Sequence, residues 1–397
     1  MDKIEVLVCD DSALMRNLIS RIINTTEGLH VAATAMNGQF AIEKIPYVKP
    51  DVILLDIEMP VMNGIEFLHE RRKRNWDVPV IILSSVARKG SSVTMECLEL
   101  GASDFVTKPG GSISMDIASV ANLFIEMISS YGGAYARMKG KNVYDPAFFA
   151  RQVKMRQAEE FVAKKKGIVP SLQKSDDFTQ TLLNFTAEKP KEPVVITPEK
   201  EGGKIEIIAI GISTGGPNAL RDVFKAIDPN LKQPILVVQH MPPGFTTEFA
   251  ASLDRICPLT VTEAKDGDKI EGGHIYIAPG DYHIYVEKKL EGAVIRLSHD
   301  AARNGHRPSA DFLFASIAEN YQNNALGVIM TGMGKDGAAE LAVMRKCGAW
   351  TLGQDEKTAI VYGMPKVAWE LGAVQKQVPL ENMANEISTL AREHLSA

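Results

Sequence analysis

The sequence predicts two α/β domains, each built on a mainly parallel, doubly wound sheet, with a charged linker between them. Three observations carry this expectation. The chain has 397 residues, more than one ordinary core organises. Short runs that are nearly all apolar alternate with amphipathic stretches, as strands covered on both faces by helices do. That alternation occurs in two separate blocks and lapses between them.

The first block is read over 1–138. Its strand candidates are Val6-Leu7-Val8, Val31-Ala32-Ala33, Val52-Ile53-Leu54-Leu55, Val80-Ile81-Ile82-Leu83 and Phe105-Val106. Amphipathic segments such as Ser12 to Ile23 and Gly64 to Arg74 separate them. Five such strands make a small doubly wound domain. The stretch 139–203 has no strand pattern and holds Lys164-Lys165-Lys166 and Glu188-Lys189-Pro190-Lys191-Glu192-Pro193, so it reads as a solvated linker. One helix is expected inside it, from Asp145 to Lys166, with Phe149, Val153 and Phe161 partly on one face. The second block, 204–397, has strand candidates at Ile205 to Ile210, Ile235 to Val238, His274 to Ala278, Val294 to Leu297, Ala325 to Met330 and Ala349 to Leu352.

Composition narrows the function classes. Lys plus Arg is 44 and Asp plus Glu is 49, a net charge of -5, so no global basic field for nucleic acid exists. No apolar run approaches the ~20 residues that span a bilayer. The N-terminus lacks a signal-peptide pattern, and four scattered cysteines without Cys-x-x-Cys spacing suit a reducing cytosol. A cytoplasmic protein is expected, meeting a membrane only through partners.

Ligands of open parallel sheets gather at the carboxyl ends of the strands. In the first block those ends carry Asp10 and Asp11, then Asp56, Ser84 and Lys108. Three clustered carboxylates repel one another, and a hard dication such as Mg2+, which prefers oxygen ligands, relieves that. Such a site suits phosphoryl transfer to Asp56, with Lys108 and the metal neutralising phosphoryl oxygens and Ser84 donating to one. Any one acid alone would read as a helix cap, as Asp11 before Ser12 could be.

These residues resemble the response-regulator receiver family, in Cys9-Asp10-Asp11-Ser12, Leu55-Asp56-Ile57-Glu58-Met59-Pro60, Leu83-Ser84-Ser85 and Asp104-Phe105-Val106-Thr107-Lys108-Pro109. The resemblance implies a flavodoxin-like five-stranded sheet and phosphorylation of Asp56 by a histidine kinase. It also implies Mg2+ held by Asp11, Asp56 and the main-chain carbonyl of Glu58, with Asp10 assisting. Phe105 takes the position of the aromatic switch.

In the second block, Ile207-Ile208-Ala209-Ile210 runs into Gly211-Ile212-Ser213-Thr214-Gly215. A strand emptying into Gly-x-Ser-x-Gly before a helix presents the serine hydroxyl at the strand end. The alternative is a phosphate-binding loop, although neither Gly-x-Gly-x-x-Gly nor Gly-Lys-Ser/Thr is present. As base, only His240 ends an apolar strand in a comparable place; His274 begins one, and His306 in a polar loop remains a competitor. As orienting acid, Asp336 follows the buried-type strand ending at Met330, with Asp311 and Asp355 as rivals. In isolation Asp336 reads equally well as a helix cap. The order Ser213, His240, Asp336 is not that of α/β-hydrolases, chymotrypsin or subtilisin.

These segments, with Gln239-His240-Met241-Pro242, Arg307-Pro308-Ser309-Ala310-Asp311 and Thr331-Gly332-Met333-Gly334-Lys335-Asp336, resemble the catalytic domain of chemotaxis protein-glutamate methylesterases, the CheB family. The resemblance implies hydrolysis of glutamate methyl esters on chemoreceptors and deamidation of receptor glutamines. It implies Ser213, His240 and Asp336 as triad, the Met333 and Thr214 main-chain N–H groups as oxyanion hole, and no cofactor in this domain. Ile212 stands where the family usually has alanine, and Ser252 where arginine is expected. The receiver is expected to cover the Ser213 edge until Asp56 is phosphorylated. A non-enzymatic signalling adaptor, a transcriptional regulator and an esterase for another protein ester are the competing readings. The second lacks a basic recognition helix.

Overall fold

A computed structural model describes residues 1–84, 88–108, 116–153, 155–156 and 194–395. Five strands form the first sheet: β1 (Ile4–Cys9), β2 (Leu29–Ala35), β3 (Val52–Asp56), β4 (Val80–Ser84) and β5 (Asp104–Thr107). They pair in parallel in the order β2-β1-β3-β4-β5. Every residue of β3 and β4 is buried, because helices cover both faces of the sheet. The helices start where local chemistry satisfies their first N–H groups. Ser12 accepts from Met15 N ahead of Ala13–Asn24, and Asn63 with Glu66 closes a capping box on Gly64–Lys73.

The second sheet has seven strands, all parallel, in the order β14-β13-β12-β6-β7-β9-β8. They are β6 (Ile207–Ile212), β7 (Ile235–Gln239), β8 (Thr260–Glu263), β9 (His274–Ile277), β12 (Ala325–Ile329), β13 (Trp350–Gln354) and β14 (Lys376–Val378). The first of these in the chain, β6, lies between β7 and β12, so the chain reverses direction across the sheet there. Crevices form at such switch points, on the carboxyl side.

Three expectations change. Val294 to Leu297 does not join the main sheet. It lies in β11 (Gly292–Ser298), which pairs antiparallel with β10 (His283–Lys289) as a separate hairpin. Two short edge strands, β8 and β14, carried too little apolar pattern to be read from sequence. The linker is also shorter than 139–203. Val143, Phe149 and Val153 are buried in the first core, and Tyr144 stacks on Phe148 at 3.8 Å. At the other end, Val194, Glu199 and Gly203 donate main-chain hydrogen bonds to Glu370, Lys346 and Asn323 of the second domain. Phe161 and the lysines at 164–166 fall outside the described residues.

The open edge of the first sheet is closed by the second domain. Phe105 on β5 stacks on Phe245 with ring centroids 5.1 Å apart. Glu99 pairs with Arg255 at 2.6 Å and lies 3.7 Å from Arg221. An unpaired edge strand is a liability, and covering it satisfies both domains.

Behind that edge, the Glu126 carboxyl has one oxygen without a partner among the described residues, and burial lifts it from its ordinary 4.5 to about 8. A carboxyl raised in the folded state costs stability as pH climbs from its unfolded value to its folded one. Glu126→Gln should therefore raise Tm by an amount that grows between about pH 4.5 and 8 and then levels off. A Tm difference flat across that range in thermal melts would contradict the assignment.

Candidate functional site

The carboxyl ends of β1, β3, β4 and β5 bring the expected acidic pocket together. Oxygens of Asp10, Asp11 and Asp56 all lie within 4.8 Å of one another. Lys108 Nζ sits 2.9 Å from Asp10 Oδ2 and 2.7 Å from Asp56 Oδ2. Burial pushes the Asp56 carboxyl up and the Lys108 ammonium pulls it back, leaving it at about 6. Ser84 Oγ shares a 2.6 Å hydrogen bond with Thr94 Oγ1. Glu58 follows β3 by two residues, with its side chain exposed. Three carboxylates facing one ammonium form an all-oxygen, net-negative donor set, which fits a hard divalent cation.

At the switch point of the second sheet, three adjacent strand ends deliver three side chains. Ser213 follows β6, His240 follows β7, and Asp336 lies in the loop after β12. His240 Nδ1 is 3.1 Å from Ser213 Oγ, and His240 Nε2 is 2.8 Å from Asp336 Oδ2. Thus Nε2–H donates to the carboxylate and the Nδ1 lone pair faces the hydroxyl. This uses the ring in the opposite sense to the chymotrypsin arrangement while keeping the same three roles.

Asp336 is held from the far side as well. Oδ1 accepts from Ser309 Oγ at 2.6 Å and Asn304 Nδ2 at 2.9 Å, and Oδ2 accepts from Ala310 N at 2.6 Å. Ala310 opens the helix Ala310–Tyr321. The cap reading of Asp336 is thus also satisfied, but on this neighbouring helix rather than on Ala338–Lys346, which follows it. Burial opposes ionisation of Asp336. The bonds and charge of His240, with Ser309 and Asn304, outweigh it and hold the carboxyl well below the usual carboxylate range.

The rival acids serve elsewhere. Asp311 accepts from Asn304 Nδ2 and Glu340 N, and Asp355 closes a local turn on Thr358. His274 sits at the opposite rim, bonded to Thr262. His306, the weaker competitor for the base, is not a bystander. It stacks on His240 at 3.8 Å, 9° from parallel, and burial together with the His240 charge drops it to about 4. Its loop carries Asn304 and Ser309, so one segment supports both ring and acid. Sequence reading missed this because loop position alone does not reveal stacking.

The serine turn is built for close approach. Gly215 has φ 80°, a conformation side chains resist, and a Cβ on Gly332 would lie 2.8 Å from Ser213 Cβ. Ser213 N donates to Thr331 O, and Thr331 Oγ1 donates to Thr214 O. Among the described residues, the Thr214 and Met333 main-chain N–H groups have no protein acceptor. Ser252 is buried and accepts from Arg221 at 3.5 Å, so Arg221 and Arg255, not residue 252, reach the first domain.

A cavity of about 190 Å³ joins the two domains at this point; its walls include Ser213, Thr214, His240 and His306 from one side and Asp104, Phe105 and Thr107 from the other.

Residues 6–116 match the response regulator receiver domain and residues 208–387 match the CheB methylesterase domain. The protein-glutamate methylesterase/protein-glutamine glutaminase of Treponema denticola is 51% identical over 393 residues, covering 99% of this chain and all of that one. The chain belongs to the CheB methylesterase family. The protein of the same name from Treponema pallidum is 45% identical, over 99% of this chain and 98% of its own. The Thermotoga maritima CheB methylesterase catalytic domain aligns with 38% identity and a TM-score of 0.46, over 48% of this chain and 99% of that one. The receiver match encloses Asp10 to Lys108, and the CheB methylesterase match encloses Ser213, His240, Met333 and Asp336.

Proposed function

We propose that this chain is a phosphorylation-gated hydrolase that removes methyl esters from glutamate side chains of chemoreceptors and deamidates receptor glutamines. The observation that carries the reading is the Ser213–His240–Asp336 relay, at 3.1 and 2.8 Å, in a cavity walled by the first domain.

Ser213 Oγ attacks the ester carbonyl carbon as His240 Nδ1 takes its proton, while Asp336 holds Nε2–H and stabilises the imidazolium. The N–H groups of Met333 and Thr214 donate to the oxyanion. Collapse expels methoxide, which leaves as methanol with the proton from His240. Water then attacks the acyl-serine, His240 takes its proton, and Ser213 leaves with a proton returned by His240. The product is a glutamate carboxylate. With glutamine the leaving group is ammonia.

The first domain, 1–138 with the packed segment to 153, is the gate. The second, from 204, is the hydrolase, with linker between. Asp10, Asp11 and Asp56, with the Glu58 carbonyl, would hold Mg2+, which when bound neutralises charge on an incoming phosphoryl group. Asp56 accepts the phosphoryl group from a histidine kinase, Lys108 pairs with it, and Ser84 donates to it in place of Thr94. Phe105, stacked on Phe245, then repacks and the domains part. A shift of about 1.4 kcal/mol between closed and open states gives a tenfold change in activity. Among the described residues no helix is long and apolar enough to cross a membrane, in keeping with a cytoplasmic enzyme that meets membranes through receptors.

The deciding measurement is methanol release from methylated receptor membranes, with and without acetyl phosphate. We expect release that rises about tenfold with the phosphodonor, and no rise in Asp56→Asn. Absence of release under both conditions would sink the esterase reading. Release indifferent to acetyl phosphate would sink the gate.

A further inference from the structure

His240 meets one ring that the chemistry above does not use. His306 stacks on it with centroids 3.8 Å apart and planes 9° from parallel. The chain is tied down on both sides of His306. Asn304 and Gly305 have φ of 54° and 82°, as the central pair of a type I′ turn does, and Arg303 and His306 close that turn with two main-chain bonds of 3.0 Å. Asn304 Nδ2 donates to Asp311 and Asp336, and Arg303 pairs with Glu340. On the other side, Arg307 donates to Asp281 Oδ1 and to the carbonyls of His299 and Asp300. What this anchored loop delivers to the site is the flat face of one imidazole.

We propose that His306 is a positioning residue for the hydrolysis: it fixes the plane of the His240 ring, and its π face stabilises the imidazolium that His240 becomes when Ser213 gives up its proton. The inference rests on the hydrolase reading above and adds to its proton relay a group that acts only through the base.

Three arguments support it. The first is geometric. Two neutral aromatic rings avoid a face-to-face sandwich, because their negative faces repel, whereas a cation over a neutral ring is attracted to that same face. Rings 3.8 Å apart and nearly parallel have little offset, so the pair suits the charged His240 of the transition state better than the neutral His240 of the resting enzyme. The second is charge. Burial, and then the His240 charge, drop His306 to about 4 although Asp336 pulls the other way, so His306 stays neutral near pH 7 and can face a cation. The third is mechanical. The bonds to Ser213 and Asp336 fix the two nitrogens of His240 but leave the ring free to rock about the line joining them. A cavity of about 280 Å³ borders both rings, so space to rock into lies close by, and a stacked face opposes that motion.

The test is methanol release by the full chain with acetyl phosphate, over a range of methylated receptor membrane concentrations, for wild type, His306→Leu and His306→Phe. Leucine fills the space without a π face; phenylalanine keeps the face and drops the nitrogens. We expect His306→Leu to lower kcat roughly tenfold, the size of one desolvated cation–π contact, with KM within about twofold of wild type. His306→Phe should keep kcat within about threefold of wild type. The rate at which a fluorophosphonate labels Ser213, which needs the proton transfer and no receptor, should fall in His306→Leu and recover in His306→Phe. If thermal melts show that His306→Leu folds poorly, His306→Asn carries the same expectation. Equal kcat in His306→Leu and His306→Phe, or a loss that falls on KM in place of kcat, would overturn the positioning role alone. No methanol release by the wild type would instead overturn the hydrolase reading.

Discussion

Ser213→Ala should lower methyl-ester hydrolysis by roughly 10^4- to 10^6-fold, with the fold and the phosphorylation of Asp56 intact. The size follows from how the three groups act. Without the hydroxyl, neither the imidazole nor the carboxylate has a proton to move, so the loss equals that of the whole unit rather than one third of it. What remains is the oxyanion hole acting on a water, worth about 10^3 to 10^4 over the uncatalysed reaction. The substitution is mild structurally. It deletes one oxygen from a turn held by main-chain bonds from Ser213 N to Thr331 O and from Gly216 N to Ser213 O. Methanol release under phosphodonor should fall to that floor while Tm stays within a degree or two. A fluorophosphonate probe should label the wild type and not the variant. Near-normal release by Ser213→Ala would end the nucleophile assignment, whereas no release by the wild type and no labelling by the probe would favour the adaptor reading.

Much of this site was legible before any coordinates because it is made of strand ends. A parallel strand that is apolar throughout announces its own carboxyl terminus, and Ser213, His240 and Asp336 each follow such a strand. The same rule found Asp10, Asp56, Ser84 and Lys108. What pattern could not give is which strands are neighbours. The order β12-β6-β7 puts the three ends side by side, although their residues are 27 and 96 positions apart along the chain.

The failures have physical causes too. Residues 139–153 read with the linker because they carry no strand pattern and lead into the charge runs beyond, yet Tyr144, Phe148 and Phe149 pack against the first domain's core. His306 lies in a loop whose conformation depends on cross-chain bonds such as Asn304 to Asp336. Asp104 looked like an ordinary strand residue. Its importance comes from the second domain covering β5, and interdomain docking leaves no periodicity in either sequence. The serine loop itself was ambiguous between a nucleophile and an anion cradle. The geometry favours the nucleophile, since Ser213 meets His240, while in this turn a single N–H, that of Gly215, reaches a carboxylate, that of Asp104.

Asp336→Asn should cost about 10^4-fold in turnover and several kcal/mol in stability, and the two losses have different origins. The wild-type carboxylate is acceptor only, and every neighbour is a donor: His240 Nε2, Ser309 Oγ, Asn304 Nδ2 and Ala310 N. An asparagine has one oxygen to share among them. If that oxygen faces Ser309 and Asn304, the amide nitrogen faces His240 Nε2. The ring then presents a lone pair there and carries its proton on Nδ1. A protonated Nδ1 cannot accept the Ser213 proton, and the base is lost. If the oxygen faces His240, the tautomer survives, but an amide N–H₂ points at the Ser309 hydroxyl and the Asn304 amide, and Asn304 keeps only its bond to Asp311. Leaving such groups unpaired costs about 1–3 kcal/mol each. The favoured orientation is set by the Oδ1 side, where Ser309 Oγ, Asn304 Nδ2 and, at 3.4 Å, Asp311 N converge against His240 Nε2 and Ala310 N on Oδ2, and it is the orientation that disables the base. The pH dependence separates the two losses. The neighbours hold the Asp336 carboxyl below its ordinary 3.8, so its contribution to stability is complete above that value and is lost as pH falls toward the folded pKa. The Tm gap between wild type and Asp336→Asn should therefore be constant through neutral pH and narrow only in acid, whereas the turnover gap should persist wherever both proteins are folded. A variant with turnover within tenfold of wild type, or a Tm gap that vanishes near neutrality, would show that Asp336 neither orients His240 nor carries the buried charge assigned to it.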